Sequence, residues 1–421
     1  MPVQASPSRT ASLGSAASAA GFSETALLRI DDHLQRVYLD PGKLAGTQTL
    51  IYRRGQIAYR SSLGHADRER SVPIKDDTIF RIYSMTKPIT SVALMMLFEE
   101  GRVQLDDPVA KYIPEWAGLG VFQAGLAPLF LTKPPARLMQ VVDLLRHTSG
   151  LTYGFQNRTN VDAAYRDKGI GAFEKAGTLE SWIADLARIP LEFSPGDAWN
   201  YSVSTDVVGY IVQKISGMPF EQFVKQRILD PLGMVDTDFH VPPAKAHRLA
   251  ACYSADGKGG MQLSDDPANS SFLAPPDLIS GGGGLVSTTD DYLTFCRALL
   301  NGGELNGVRL LGPKTLKLMT TNHLPGNRDL TEMSRSMFSE ATNAGIGFGL
   351  GFAVNMNPAQ TLLPGSVGEY YWGGAASTAF WIDPAEDLIT IFMTQLLPSS
   401  AYPIRRELRT LVYSAITESN V

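Results

Sequence analysis

Apolar residues recur at helical spacing from residue 24 to 38, where Leu27, Leu28, Ile30, Leu34 and Val37 fall along one stripe. Two β-rich runs follow, residues 48–53 and 56–61, joined around Gly55, which is the signature of a hairpin. Helical period returns with Ile89, Val92, Ala93, Met96 and Leu97, and this segment ends at Gly101. From Asp106 to about Ser280 the texture changes: helical patterns at 138–145 and 207–215 alternate with Pro- and Gly-rich loops, and strand signals are sparse. A glycine run, Gly281 to Gly284, then leads into a helix predicted over 292–300, with Thr289 and Asp290 as candidate caps. Residues 379–383 and 388–394 read as strands flanking a turn at 384–387, and 403–416 reads as a closing helix. The pattern predicts an α+β chain. One antiparallel sheet, flanked by the terminal helices, would draw on 1–105 and 280–421, with 1–22 flexible and 106–279 forming a helical insertion.

Composition narrows the function classes. A chain of 421 residues with 44% hydrophobic and 19% charged residues is long enough to bury a large core. A formal charge of -5, with no Lys/Arg cluster, argues against a nucleic-acid partner. Cys252 and Cys296 are too few for a disulfide framework and read as small buried apolar residues. The six histidines show no metal-ligand spacing, so no metal or cofactor is expected. The first twenty residues lack the basic start and apolar core of a secretory signal, and no stretch approaches a membrane span; the expectation is a cytoplasmic protein. The glycine run lacks the Gly-Lys-Ser/Thr of a phosphate cradle and reads instead as a place of close packing.

Chemistry collects first at Ser84 and Lys87. Residues three apart on a helix share a face, so this Ser-x-x-Lys brings a hydroxyl to an amine. A hydroxyl becomes a useful nucleophile when a neighbouring base takes its proton. Lysine serves as that base when burial or the positive end of a helix makes it neutral. Chance supplies about one Ser-x-x-Lys in a chain this long, so the surroundings carry the argument.

Those surroundings are Leu105-Asp-Asp-Pro-Val-Ala-Lys-Tyr-Ile-Pro114, Asp143-Leu-Leu-Arg-His-Thr-Ser-Gly-Leu151 and Pro195-Gly-Asp-Ala-Trp-Asn-Tyr-Ser202. With Ser84-Met-Thr-Lys87 they occur in the order found in the serine β-lactamase and penicillin-binding-protein superfamily. The chain most resembles its class C and family VIII carboxylesterase branch, from about residue 25 to the C-terminus. The resemblance implies a β-lactamase-like fold, Ser84 as acylated nucleophile, Lys87 as its proton partner and Tyr201 as the third member of a Ser/Lys/Tyr triad. It also implies an oxyanion hole formed by the backbone N–H groups of Ser84 and Ala375. The alternative for Tyr201 is an aromatic core residue beside Trp199.

Two departures refine that reading. Where lactamases of this superfamily carry Lys-Thr-Gly, the chain reads Trp372-Gly373-Gly374, with Ala375 next, so the strand lacks its cation. Trp372 is either a substrate-facing ring or a strand-edge packing residue, and Gly373 and Gly374 are expected to let substrate approach the backbone. The family's Tyr-x-Asn reads Tyr201-Ser202-Val203, so the lactam-binding amide is absent as well. Both losses favour neutral, moderately apolar acyl esters over penicillin-like anions, with weak cephalosporin hydrolysis still open, and a site walled by Tyr, Trp and loop residues is expected to prefer short acyl chains. The expected partner is a small-molecule ester, with neither nucleic acid nor membrane; monomer and homo-oligomer both stay open. The rivals are a true β-lactamase or D-amino-acid peptidase, an acyltransferase using the same acyl-enzyme, and a non-catalytic binding protein, against which the intact Ser84, Lys87 and Tyr201 argue. No serine stands in Gly-x-Ser-x-Gly, and His147, Ser149 and the Asp76-Asp77, Asp106-Asp107 and Asp290-Asp291 pairs read as turn, cap or loop residues.

Overall fold

The computed structural model describes residues 15–171, 177–335 and 344–421. Its centre is an eight-stranded sheet. Five of its strands frame the site: β1 (Gly46–Arg53), β2 (Gln56–Asp67), β3 (Tyr370–Gly373), β4 (Ala379–Asp383) and β5 (Leu388–Met393). They lie side by side in the order β3-β4-β5-β1-β2, antiparallel throughout. The two ends of the chain thus meet at the β5–β1 pairing, where Leu50 faces Ile391 and Tyr52 faces Ile389. Short strands Ile346–Phe348 and Ala353–Asn355 extend one edge, and Val72–Pro73 the other.

Side chains alternate across a strand, and here both faces are covered. Leu50, Phe380, Ile382, Ile389 and Ile391 point into the larger core. Ile51, Trp381, Leu388 and Phe392 point the other way, into a second core closed by helices α1 (Glu24–Leu34) and, at the far end of the chain, Ile404–Ser414. Strands β4 and β5 read as near-continuous apolar runs because neither face meets water. The hairpin around Gly55 and both terminal helices match the sequence expectation.

In the larger core lie α2 (Thr86–Glu99), α3 (Ser204–Ser216) and α4 (Thr289–Leu300); α2 packs along α3, and α4 packs on β4 and β5. Burial runs unbroken from Thr86 to Leu97, so α2 is a helix inside the core, not an amphipathic one at its surface. The fold corrects several expectations. The cap of α4 is Thr288, whose hydroxyl accepts from Asp291 N–H, one residue ahead of the pair proposed. Residues 1–14 lie outside the described residues, but Ser15–Ala19 is a short helix with Ala17 and Ala20 buried, not a flexible start. Segment 106–279 holds two hairpins, Val121–Leu126 with Leu129–Lys133 and Cys252–Ala255 with Met261–Asp265. The first leaves Leu126, Leu129 and Leu131 exposed, which erases the alternation that would have signalled strands. Both cysteines are buried and free. Among the described residues no helix is long and apolar enough to cross a membrane.

Candidate active site

Ser84 lies in a tight turn, Tyr83–Met85, immediately before α2. Phe80–Arg81 pairs with Val286–Ser287, and Ile82 N–H donates to Leu285 O at 3.1 Å, so the turn is clamped to the glycine run. Tyr83 has φ +42°, a left-handed conformation that costs a residue with a Cβ roughly 1–3 kcal/mol. Its ring is buried edge-on to Phe272, with centroids 6.3 Å apart. Tyr292 OH donates to Met85 O at 2.9 Å from the other side. The strained bend carries Ser84 to the head of α2, and Lys87 occupies the first turn.

Three side chains then converge. Tyr201 OH donates to Ser84 Oγ at 2.7 Å, and Lys87 Nζ reaches the same oxygen at 3.1 Å. Lys87 Nζ also donates to Gly282 O at 2.6 Å and to Tyr153 OH at 3.2 Å, and it stands 4.6 Å from the centre of the Tyr201 ring. Complete burial pushes the Lys87 amine down to about 7, and the negative charge of Asp206 resists that fall. Burial pushes both phenols, Tyr201 and Tyr153, well above their ordinary range; for Tyr201 the hydrogen bond with Ser84 works in the opposite direction. Near neutral pH the site therefore offers an amine divided between its two protonation states and two protonated phenols around one hydroxyl.

Strand β3 forms the opposite wall. Trp372 stands with its ring 5.3 Å from Tyr201 and 5.3 Å from Phe348, perpendicular to the latter. No lysine occupies this strand, yet a cation is present: Arg405, from the C-terminal helix, donates to Gly374 O at 2.6 Å and to Thr378 O at 2.7 Å. The glycines answer to protein neighbours. A Cβ at Gly373 would lie 2.5 Å from the Arg405 guanidinium carbon, and one at Gly374 would lie 2.4 Å from Ile82 O. The second approach presses the turn that holds Ala375 against the residue two places before Ser84. Val203 is fully buried, next to Tyr153 at the position that Gly171 approaches.

His147 and Ser149 are turn residues. His147 has φ +57°, its ring is buried 5.0 Å from Tyr201, and its Nδ1 lies 3.2 Å from Ser202 Oγ. Burial, and then the Lys87 charge, depress its basicity well below the usual imidazole range. Ser149 Oγ accepts from Leu151 N–H and meets Ser204 Oγ. Among the acidic pairs, Asp107 binds Lys111 and Gln104 N–H, Asp290 pairs with Arg60, and Asp291 accepts from Asp236 N–H. Sequence reasoning missed Tyr153, Asp206, the Gly282 carbonyl and Arg405. Only the glycine run carried a signal, that of close approach.

The β-lactamase family model matches residues 32–414. Fold and site together describe a β-lactamase-like serine hydrolase, and the chain belongs to the beta-lactamase family. It is 38% identical to Protein Rv1367c of Mycobacterium tuberculosis (strain ATCC 25618 / H37Rv) over 86% of this chain and 88% of that one. It is 30% identical to Esterase EstB of Burkholderia gladioli over 88% of this chain and 91% of that one. Among solved structures, EstCE1, described as a hydrolase with promiscuous acyltransferase activity, superposes with a TM-score of 0.77 at 26% identity, covering 92% of this chain and 99% of that one.

Proposed function

We propose that this chain is a serine carboxylesterase that hydrolyses short-chain carboxylic esters through an acyl-enzyme at Ser84. The observation that carries the reading is Ser84 Oγ set between Tyr201 OH at 2.7 Å and Lys87 Nζ at 3.1 Å, with the amine poised near neutrality. Neutral Lys87 takes the Ser84 proton as Oγ attacks the ester carbonyl carbon. The carbonyl oxygen becomes an oxyanion, for which the N–H groups of Ser84 and Ala375 are the assigned donors. Collapse breaks the bond to the alcohol, Tyr201 protonates the departing oxygen, and Lys87 returns a proton to the phenol. Water repeats the sequence on the acyl-enzyme and releases the acid.

Esters are favoured over penicillin-like anions because β3 presents Trp372 where a lysine would hold a carboxylate, and Val203 offers no amide. The similarity to a protein named as an esterase supports the same choice. Weak cephalosporin cleavage belongs to the proposal, since a strained lactam asks little beyond nucleophile and oxyanion donors. Acyl transfer to an added alcohol is the second reading, favoured by the likeness to EstCE1. Intact-mass measurement after brief exposure to an ester panel and a cephalosporin tests the proposal. Acyl mass on Ser84 that disappears in Ser84→Ala is expected; an adduct on another residue sinks it. Turnover rising from acetate or butyrate towards long-chain esters would remove the short-chain preference.

A further inference from the structure

Asp206 takes no part in the proposed proton transfers, yet it is buried beside them. It stands in the first turn of α3, five residues beyond Tyr201. Its Oδ1 accepts from the Ser280 hydroxyl and, at 3.0 Å, from Gly282 N–H. The carbonyl of that same glycine receives Lys87 Nζ at 2.6 Å. A Cβ at position 282 would lie 2.4 Å from Asp206 Oδ2, so only glycine lets the carboxylate and the amine close on one residue from two sides. Among the described residues no Lys, Arg or His reaches ion-pair distance of Asp206.

We propose that Asp206 is a positioning residue for Lys87, acting through the Gly282 backbone and through its negative charge on the amine that serves Ser84. The inference rests on the reading of Ser84 and Lys87 as nucleophile and base. The groups facing Lys87 are few. The loop before α3 supplies Tyr201, the 147–153 segment supplies Tyr153 and a neutral His147, the turn before α2 supplies Ser84, and the glycine run supplies the Gly282 carbonyl. Among the described residues Asp206 is the carboxylate whose charge acts on the amine, and the same charge raises both phenols. With that charge removed, burial acts on Lys87 unopposed and the amine stays neutral to lower pH. A purely structural Asp206, valued for its bonds to Ser280 and Gly282, would be replaced by asparagine without moving any titration.

The test compares pH profiles of kcat/KM, and of Ser84 labelling by an organophosphonate ester, in the full-length wild type, Asp206→Asn and Asp206→Glu. Asp206→Asn is expected to move the acidic limb of both profiles down by about one pH unit, while Asp206→Glu leaves it in place. Asp206→Ser, smaller and still able to bond, is expected to move the limb in the same direction and stands in if Asp206→Asn fails to fold. A limb that stays at the wild-type position in the charge-removing variants overturns the inference. Failure of the wild type to label at Ser84 would instead remove the catalytic reading beneath it, so the two failures are distinct.

Discussion

Lys87 is an amine placed where water does not reach it, and its chemistry stems from that. Burial favours the uncharged form, so the group titrates near 7, far below an exposed lysine. In the proposed acylation the base is the neutral amine, and its fraction grows as pH rises. We therefore expect kcat/KM for a neutral ester to climb through about pH 7 and level off above it, with no loss until the phenols titrate. A profile flat down to mildly acidic pH would show that Lys87 is not the titrating base. Tyr201 gives a complementary expectation. Its ring packs against His147, Trp199 and Trp372, and only its hydroxyl meets Ser84. Tyr201→Phe keeps the packing and removes the proposed proton donor, so kcat should fall about 10²–10⁴-fold with KM and thermal midpoint little changed. Turnover within about threefold of wild type would remove Tyr201 from the proton path.

At the scale of elements, the end of β3 and the residue after it show how two adjacent glycines do different work. An alanine at 373 meets the Arg405 guanidinium, the end of a flexible side chain that can withdraw. Withdrawal forfeits its bonds to Gly374 O and Thr378 O, so Gly373→Ala should cost about 1–2 kcal/mol. An alanine at 374 meets the Ile82 carbonyl, which is backbone and fixed by the pairing of Phe80–Arg81 with Val286–Ser287. Gly374→Ala should cost about 3 kcal/mol or more and, by moving Ala375, the proposed oxyanion donor, should depress kcat further than Gly373→Ala. Denaturant unfolding and steady-state kinetics on both variants decide the matter; equal losses would mean that the strand is free to slide. Placing Arg405→Ala under Gly373→Ala should relieve most of the clash, a non-additivity that a double-mutant cycle reads directly.

Across the whole molecule, legibility tracked sequence distance. Ser84 and Lys87 sit one helical turn apart and Tyr201 stands in a compact Pro-Gly-Asp-containing motif, so the order of these short motifs and the family resemblance it carries brought them forward. Asp206, Tyr153, Gly282 and Arg405 reach the same place from segments scattered over some 250 residues, as ordinary residue types with no distinctive spacing. The hairpin was legible from its two β-rich runs around Gly55, and the terminal helices because their apolar positions keep one period. The face of α2 was not, because it is buried all round and has no polar side to contrast with. The closure of the chain on itself was equally hidden, and one residue concentrates it. Arg53, fully buried at the end of β1, pairs with Glu386 at 2.5 Å and donates to Glu386 O at 2.9 Å, Ala20 O at 2.8 Å and Glu418 O at 2.7 Å. One guanidinium thus ties the entry to α1, the β4–β5 turn and the C-terminal tail to the central sheet. Removing one partner of a buried ion pair leaves the other desolvated and unpaired, so Arg53→Ala should lower stability by about 3–5 kcal/mol. Arg53 contacts none of the residues around Ser84, so the folded variant should keep its kcat at low temperature while its unfolding midpoint drops. An unchanged midpoint would mean that the cost of burying the guanidinium cancels its bonds, and that the two ends of the chain are held by apolar packing alone.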